Sequence, residues 1–95
     1  MDTNEAVNRL RRIKPYLQRE YAVKRVGLFG STARGTHTDS SDVDILVEFA
    51  RPIGIEFVDL SYLLEKELNR KIDIVSRGGI KDRYFKEIEK DIIYV

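Results

Sequence analysis

The residues best suited to chemistry lie between Gly30 and Phe49, in the stretch GSTARGTHTDSSDVDILVEF. Asp42 and Asp44 stand two apart, and Val43, Ile45, Val47 and Phe49 alternate with them. On a strand, side chains at i and i+2 share a face and lie roughly 6.6 Å apart along it. Two carboxylates so placed could each give one oxygen to a Mg²⁺ ion at about 2.1 Å. The apolar residues of the opposite face would bury the strand against a core. Gly30 and Ser31 directly follow the short apolar run Val23 to Phe29, with Thr32, Ala33 and Arg34 behind them. A strand entering a short helix through Gly-Ser leaves backbone N–H groups and a hydroxyl pointing outward, which suits phosphate oxygens. Arg34 adds a charge able to reach the same anion. A phosphate cradle and a carboxylate pair on neighbouring strands imply metal-dependent chemistry on a nucleotide.

Asp73 is the third element of the pattern. It sits in mid-strand between Ile72 and Ile74, an unexpected place for a charge because burying an unpaired carboxylate is costly. Beside Asp42 and Asp44 it would complete a three-carboxylate cluster. Plainer readings stand next to these. An isolated Asp-x-Asp is more readily the solvated face of an edge strand, and the agreement of Gly30-Ser31 and Asp73 at this spacing turns the balance towards a nucleotide site. Gly30 could serve turn geometry and Ser31 a helix cap, both compatible with phosphate binding. Arg34 could be a surface residue. His37, the only histidine, lies in a polar loop and reads as solvated. Tyr62, Tyr84 and Phe85 fall at helical spacing and read as core, not as a platform for base stacking.

The elements that must position these residues follow from periodicity. Asp2 with Glu5 resembles a helix start with an acidic first turn. Ala6, Leu10, Ile13 and Leu17 then mark one face of an amphipathic helix, which Pro15 should kink or restart. Lys24 and Arg25 lead into a first strand, Val26 to Phe29, and Gly35 to Ser41 reads as a loop. A second strand runs from Val43 to about Phe49. A helix follows with Phe57, Leu60, Leu64 and Leu68 on one side, ended by Asn69 or Arg70. Lys71 to Ser76 is a third strand, Gly78-Gly79 a turn, Lys81 to Lys90 a last helix, and Ile92 to Val95 a closing strand. The order α-β-α-β-α-β-α-β gives an α/β (α+β) fold, a small mixed sheet with helices mainly on one face.

Gly-Ser, ten intervening residues and Asp-x-Asp resemble the signature of the DNA polymerase beta-like nucleotidyltransferase superfamily. The fuller pair GSTARG and SDVDILVEF is similar to the minimal nucleotidyltransferases, small prokaryotic proteins usually paired with a HEPN-domain protein. The likeness covers nearly the whole chain, including the KIDIV strand and the IIYV ending. Thr32 stands where relatives often carry a larger apolar or aromatic residue. The resemblance implies two Mg²⁺ ions, with Asp42 and Asp44 as shared ligands and Asp73 as ligand of the metal that activates the hydroxyl. It implies Gly30, Ser31 and Arg34 as nucleotide-binding residues. The reaction it implies is attack on the α-phosphorus of a nucleoside triphosphate, with pyrophosphate leaving.

Ninety-five residues allow one small domain, 1–95, with a modest core. Seventeen Lys and Arg against sixteen Asp and Glu, a net charge of +1, give no electrostatic footprint for tight nucleic-acid binding. With no cysteine, disulfides and thiolate metal sites are excluded. The N-terminus lacks the apolar run of a signal peptide and no stretch is long enough to cross a membrane, so the default expectation is a cytoplasmic protein. A charged fraction of 35% against a usual value of about 25% hints at a thermophile. Two functions remain open. One is an enzyme moving AMP from ATP to a hydroxyl, for which the resemblance names a tyrosine of a HEPN-type toxin. The other is a non-catalytic antitoxin that neutralises the same partner by binding alone. A nucleic-acid polymerase or tRNA-end transferase fits the size and charge less well, and an oligomer stays possible.

Overall fold

The computed structural model describes residues 1–95. Helix α1 (Thr3–Glu20) leads into β1 (Val23–Phe29), the short α2 (Gly30–Arg34) and β2 (Val43–Phe49). Helix α3 (Glu56–Leu68), β3 (Ile72–Ser76), a 3-10 turn at Arg77–Gly79, α4 (Asp82–Glu89) and β4 (Ile93–Tyr94) complete the chain. The four strands form one sheet in the order β3-β2-β1-β4. β1 runs antiparallel to β2 and to β4, whereas β2 and β3 are parallel. The expected mixed sheet is the one found.

Alternation on β2 sorts its two faces. Val43, Ile45 and Val47 are buried together with Val26 and Leu28 of β1, the α1 residues Ala6, Val7, Leu10 and Leu17, and the α3 residues Leu60, Leu64 and Leu68. That layer is the core, and it fixes the register: slipping β2 by one residue would turn Asp44 inward. The opposite face carries Asp44 and Glu48, and Leu46 between them is only 2% exposed. Leu46 lines a small cavity together with Phe85 and Glu89 of α4, so that part of the face is covered while the Asp44 end is not.

Asp2 caps α1 through a 2.8 Å bond from the Glu5 N–H to its Oδ1, and Asn69 ends α3 in a left-handed conformation. Pro15 does not restart α1, which continues unbroken through it. The carbonyl that loses its partner there belongs to the exposed Arg11, where water can take the bond. β1 begins at Val23, three residues before the expected strand start at Val26, with a register shift between Val23 and Arg25. Lys24 and Arg25 belong to the strand because their charges stay exposed, and Arg25 pairs with Glu48 across β2 at 2.9 Å. Gly27 admits β4: a Cβ there would come 2.7 Å from Ile92 Cγ2.

Candidate active site

The parallel register sets Asp44 of β2 directly beside Asp73 of β3. The antiparallel register sets Phe29 on its other side. In-register neighbours share a face, so one carboxylate, Asp73, and one buried aromatic, Phe29, flank Asp44, and Asp42 precedes it on the same face. β2 is a central strand and Asp44 is half-buried, which removes the reading of the pair as the solvated face of an edge strand. Asp73 departs from expectation in another way. β3 is the edge strand and Asp73 is exposed, so its charge is not buried. What singles it out is its place beside Asp44.

Burial, then Asp73 and then Asp42, push the Asp44 carboxyl above its usual value of 3.8, with partial relief from the Arg34 guanidinium. Like charges held this close disfavour one another's ionisation, and a cation bound among them removes that cost. No three Asp, Glu, His or Cys side chains of the chain already close on one point as a metal cage. Mg²⁺ needs only one or two protein carboxylates, because it completes its shell with water and substrate phosphates, and the in-register Asp44 and Asp73 offer that chemistry. Asp42, Asp44 and Asp73 are the residues that would hold it.

Gly30 and Ser31 open α2 at the end of β1, next to Asp44. Gly30 has φ of +70°, and a Cβ at this position would overlap the Asp44 carboxylate. Only glycine meets both demands. Phe29 precedes the helix and offers no side-chain cap, so the N–H groups of the first turn stay available to an outside anion. Arg34 ends α2 and is tied to Asp91 at 3.0 Å, with its charge felt at Asp44. All six residues singled out in the sequence therefore gather around the junction of β1, α2 and β2, with Asp73 brought in by β3.

Two expectations fail. His37 is not solvated: it is partly buried, and its Nε2 lies 2.6 Å from the Met1 carbonyl oxygen, tying the Gly35–Ser41 loop to the start of the chain. Tyr62, 68% exposed, and Tyr84 lie outside the core, while Phe85 is half-buried beneath the Arg77 guanidinium. Arg70 is a positioning residue without a local signature. Its guanidinium donates to the carbonyls of Thr38 and Ser41 at 2.8 and 2.9 Å, and Ser41 is the residue before Asp42. Thr32 is fully buried, its carbonyl accepting from the Thr3 hydroxyl at 2.6 Å while its own hydroxyl has no partner.

Residues 10–95 match the nucleotidyltransferase domain family. The chain belongs to it. Among its relatives are a candidate protein adenylyltransferase of Methanocaldococcus jannaschii, 46% identical with 90% of each chain covered. Another is the protein adenylyltransferase MntA of Thermococcus cleftensis, 35% identical over 86% of this chain and 84% of that one. A solved candidate minimal nucleotidyltransferase superposes with a TM-score of 0.85 at 31% identity, covering 98% of this chain and 95% of the other. A toxin-antitoxin crystallised with AMP-PNP has the same fold, with a TM-score of 0.71 at 22% identity over 99% of this chain and 72% of that one. These matches bear out the resemblance to the minimal nucleotidyltransferases that GSTARG and SDVDILVEF carry. No helix of this nucleotidyltransferase is long and apolar enough to cross a membrane.

Proposed function

We propose that this protein is an adenylyltransferase that moves AMP from Mg·ATP onto a tyrosine hydroxyl of a separate HEPN-type toxin, and so acts as its antitoxin. The observation that carries the reading is the register of Asp44 with Asp73 on one side of a half-buried strand and the uncapped Gly30–Ser31 turn at the adjacent strand end. The names of the archaeal relatives support the same acceptor class, a protein. The toxin-antitoxin neighbour adds the fold alone.

Bound Mg²⁺ would offset the carboxylate and phosphate charge and make the acceptor hydroxyl more acidic. The chain's own part is to place the phosphates. The free N–H groups of the α2 turn and the Ser31 hydroxyl bind the phosphate oxygens, and Arg34 adds positive charge beside them. Asp42 and Asp44 would hold the ion at the strand end beside that turn. Asp73, on the exposed edge, faces the side from which an acceptor can approach. The hydroxyl oxygen forms the new bond to the α-phosphorus, the α–β phosphoanhydride bond breaks, and pyrophosphate departs. The phenolic proton, from a group with an ordinary pKa of about 10, leaves to solvent past Asp73. AMP placed beside a ribonuclease site brings bulk and negative charge where RNA phosphate must bind.

The test is incubation of both proteins with Mg²⁺ and ATP labelled at the α or the γ position. Only the α label should reach the partner, whose mass should rise by one or more AMP units located on tyrosine. Label arriving from the γ position refutes the reaction class. A partner that stays unmodified yet fully inhibited leaves the binding-only antitoxin as the better account.

A further inference from the structure

The face of β2 that carries Asp44 continues to Leu46, two residues and roughly 6.6 Å further along the strand. Leu46 is not solvated there. It lines a cavity of about 250 Å³ whose other apolar walls are Phe85 of α4 and Tyr94 of β4, the rest of its lining being the charged Arg25, Glu48, Arg77 and Glu89. Both rings are held by a cation: the Arg77 guanidinium stands 3.9 Å from the centre of Phe85, and that of Arg25 stands 5.2 Å from the centre of Tyr94. Arg77 is in turn held by Asp82 and Arg25 by Glu48, each at 2.9 Å. Two aromatic rings anchored in this way are ordered before a ligand arrives, which lowers the cost of binding one. The volume falls below the range of about 300–1,000 Å³ typical of sites for whole drug-sized ligands. It has room for one flat ring system.

We infer that this cavity is the seat of the nucleobase, with Leu46 as its floor and Phe85 and Tyr94 as its stacking walls. The assignment rests on the nucleotide reading of the Asp44 site, and it adds where the rest of the nucleotide goes. With the phosphates at the Gly30–Ser31 turn, a ribose continuing along β2 past Asp44 delivers the base to Leu46. The larger cavity of about 650 Å³ around Phe49, Ile53 and Phe57 lies towards the end of β2 farthest from Asp42, farther along the strand from Asp44 than Leu46 is. Phe85, which its spacing marks as core, is half-buried because one side of it is this cavity.

Calorimetric titration of Mg·ATP and of Mg·tripolyphosphate into the unaltered protein, Phe85→Leu and Tyr94→Leu tests the assignment. Leucine keeps apolar bulk and removes the π face. Each variant should bind Mg·ATP about tenfold more weakly, the scale of one lost base–aromatic stack. Each should bind Mg·tripolyphosphate, which has no base, within twofold of the unaltered protein. Unchanged ATP affinity in both variants overturns the assignment. So does an equal loss for both ligands, because the rings would then serve the fold or the phosphates. If the unaltered protein binds neither ligand, the nucleotide reading of the Asp44 site falls first and the base seat falls with it. Normal tripolyphosphate binding alongside unchanged ATP binding sinks the base seat alone.

Discussion

Asp44 has a folded-state pKa raised by burial and by two like charges, so its ionised form costs the apo protein stability. The sign follows from linkage. A raised carboxyl stabilises the fold fully only below its unfolded value and loses that contribution as pH rises through the folded value. Asp44→Asn should therefore abolish transfer at pH 7 while leaving the apo melting temperature equal or a few degrees higher. That gain should vanish as the pH is lowered through the carboxylate range, where the unaltered Asp44 is already neutral. A variant that unfolds instead would show that Asp44 has a structural partner. Thr32 makes a second residue-scale case. Its buried hydroxyl lacks a partner, and leaving such a group unpaired costs about 1–3 kcal/mol. Thr32→Val keeps the shape and should raise the melting temperature by several degrees, about 4–8 °C per kcal/mol in a domain of this size. A fall on thermal denaturation would mean that the hydroxyl is satisfied in solution.

Two elements decide whether the carboxylates meet the phosphates. The β1–α2 turn passes through Gly30, where a side chain would face both a left-handed backbone, costing about 1–3 kcal/mol, and the Asp44 carboxylate. Gly30→Ala should lose nucleotide binding and lower stability together, measured by titration and by denaturant unfolding. The Gly35–Ser41 loop is held by Arg70 from the end of α3. Arg70→Ala should lower the transfer rate about ten- to a hundredfold, as small misplacements of catalytic groups do, with only a small change in melting temperature. An unaltered rate would show that the loop holds Asp42 without this anchor. The turn could be read in the sequence because Gly-Ser after an apolar run has a local cause. Arg70 could not, since its partners are carbonyls more than a helix away in the chain. The buried charge that marks Asp73 in the sequence is absent, and its place beside Asp44 comes from the parallel register of β2 and β3, which no local signal carries. Tyr62 and Tyr84 were misplaced because helical spacing gives the faces of a helix but not which face has a neighbour. Pro15 does not restart α1 because an exposed helix can leave a carbonyl to water.

For the whole molecule, metal and nucleotide should act as one ligand. Three carboxylates without a closed cage give Mg²⁺ alone little to hold, and ATP alone meets unrelieved negative charge. The melting temperature should rise more with Mg·ATP than with either component, in proportion to the logarithm of ligand over Kd. Equal shifts with and without metal would argue against the site. β4, only two residues long, closes the sheet on β1 at Gly27 and Leu28 from the opposite end of the chain. Every residue assigned to phosphate or metal is synthesised before it. A chain leaving the ribosome thus holds Asp42, Asp44 and Asp73 while β1 still has an open edge, and contacts this distant in sequence are slow to form. In that interval an unpaired strand is exposed to other nascent chains, so the sheet under the carboxylates is sealed by residues translated after all of them.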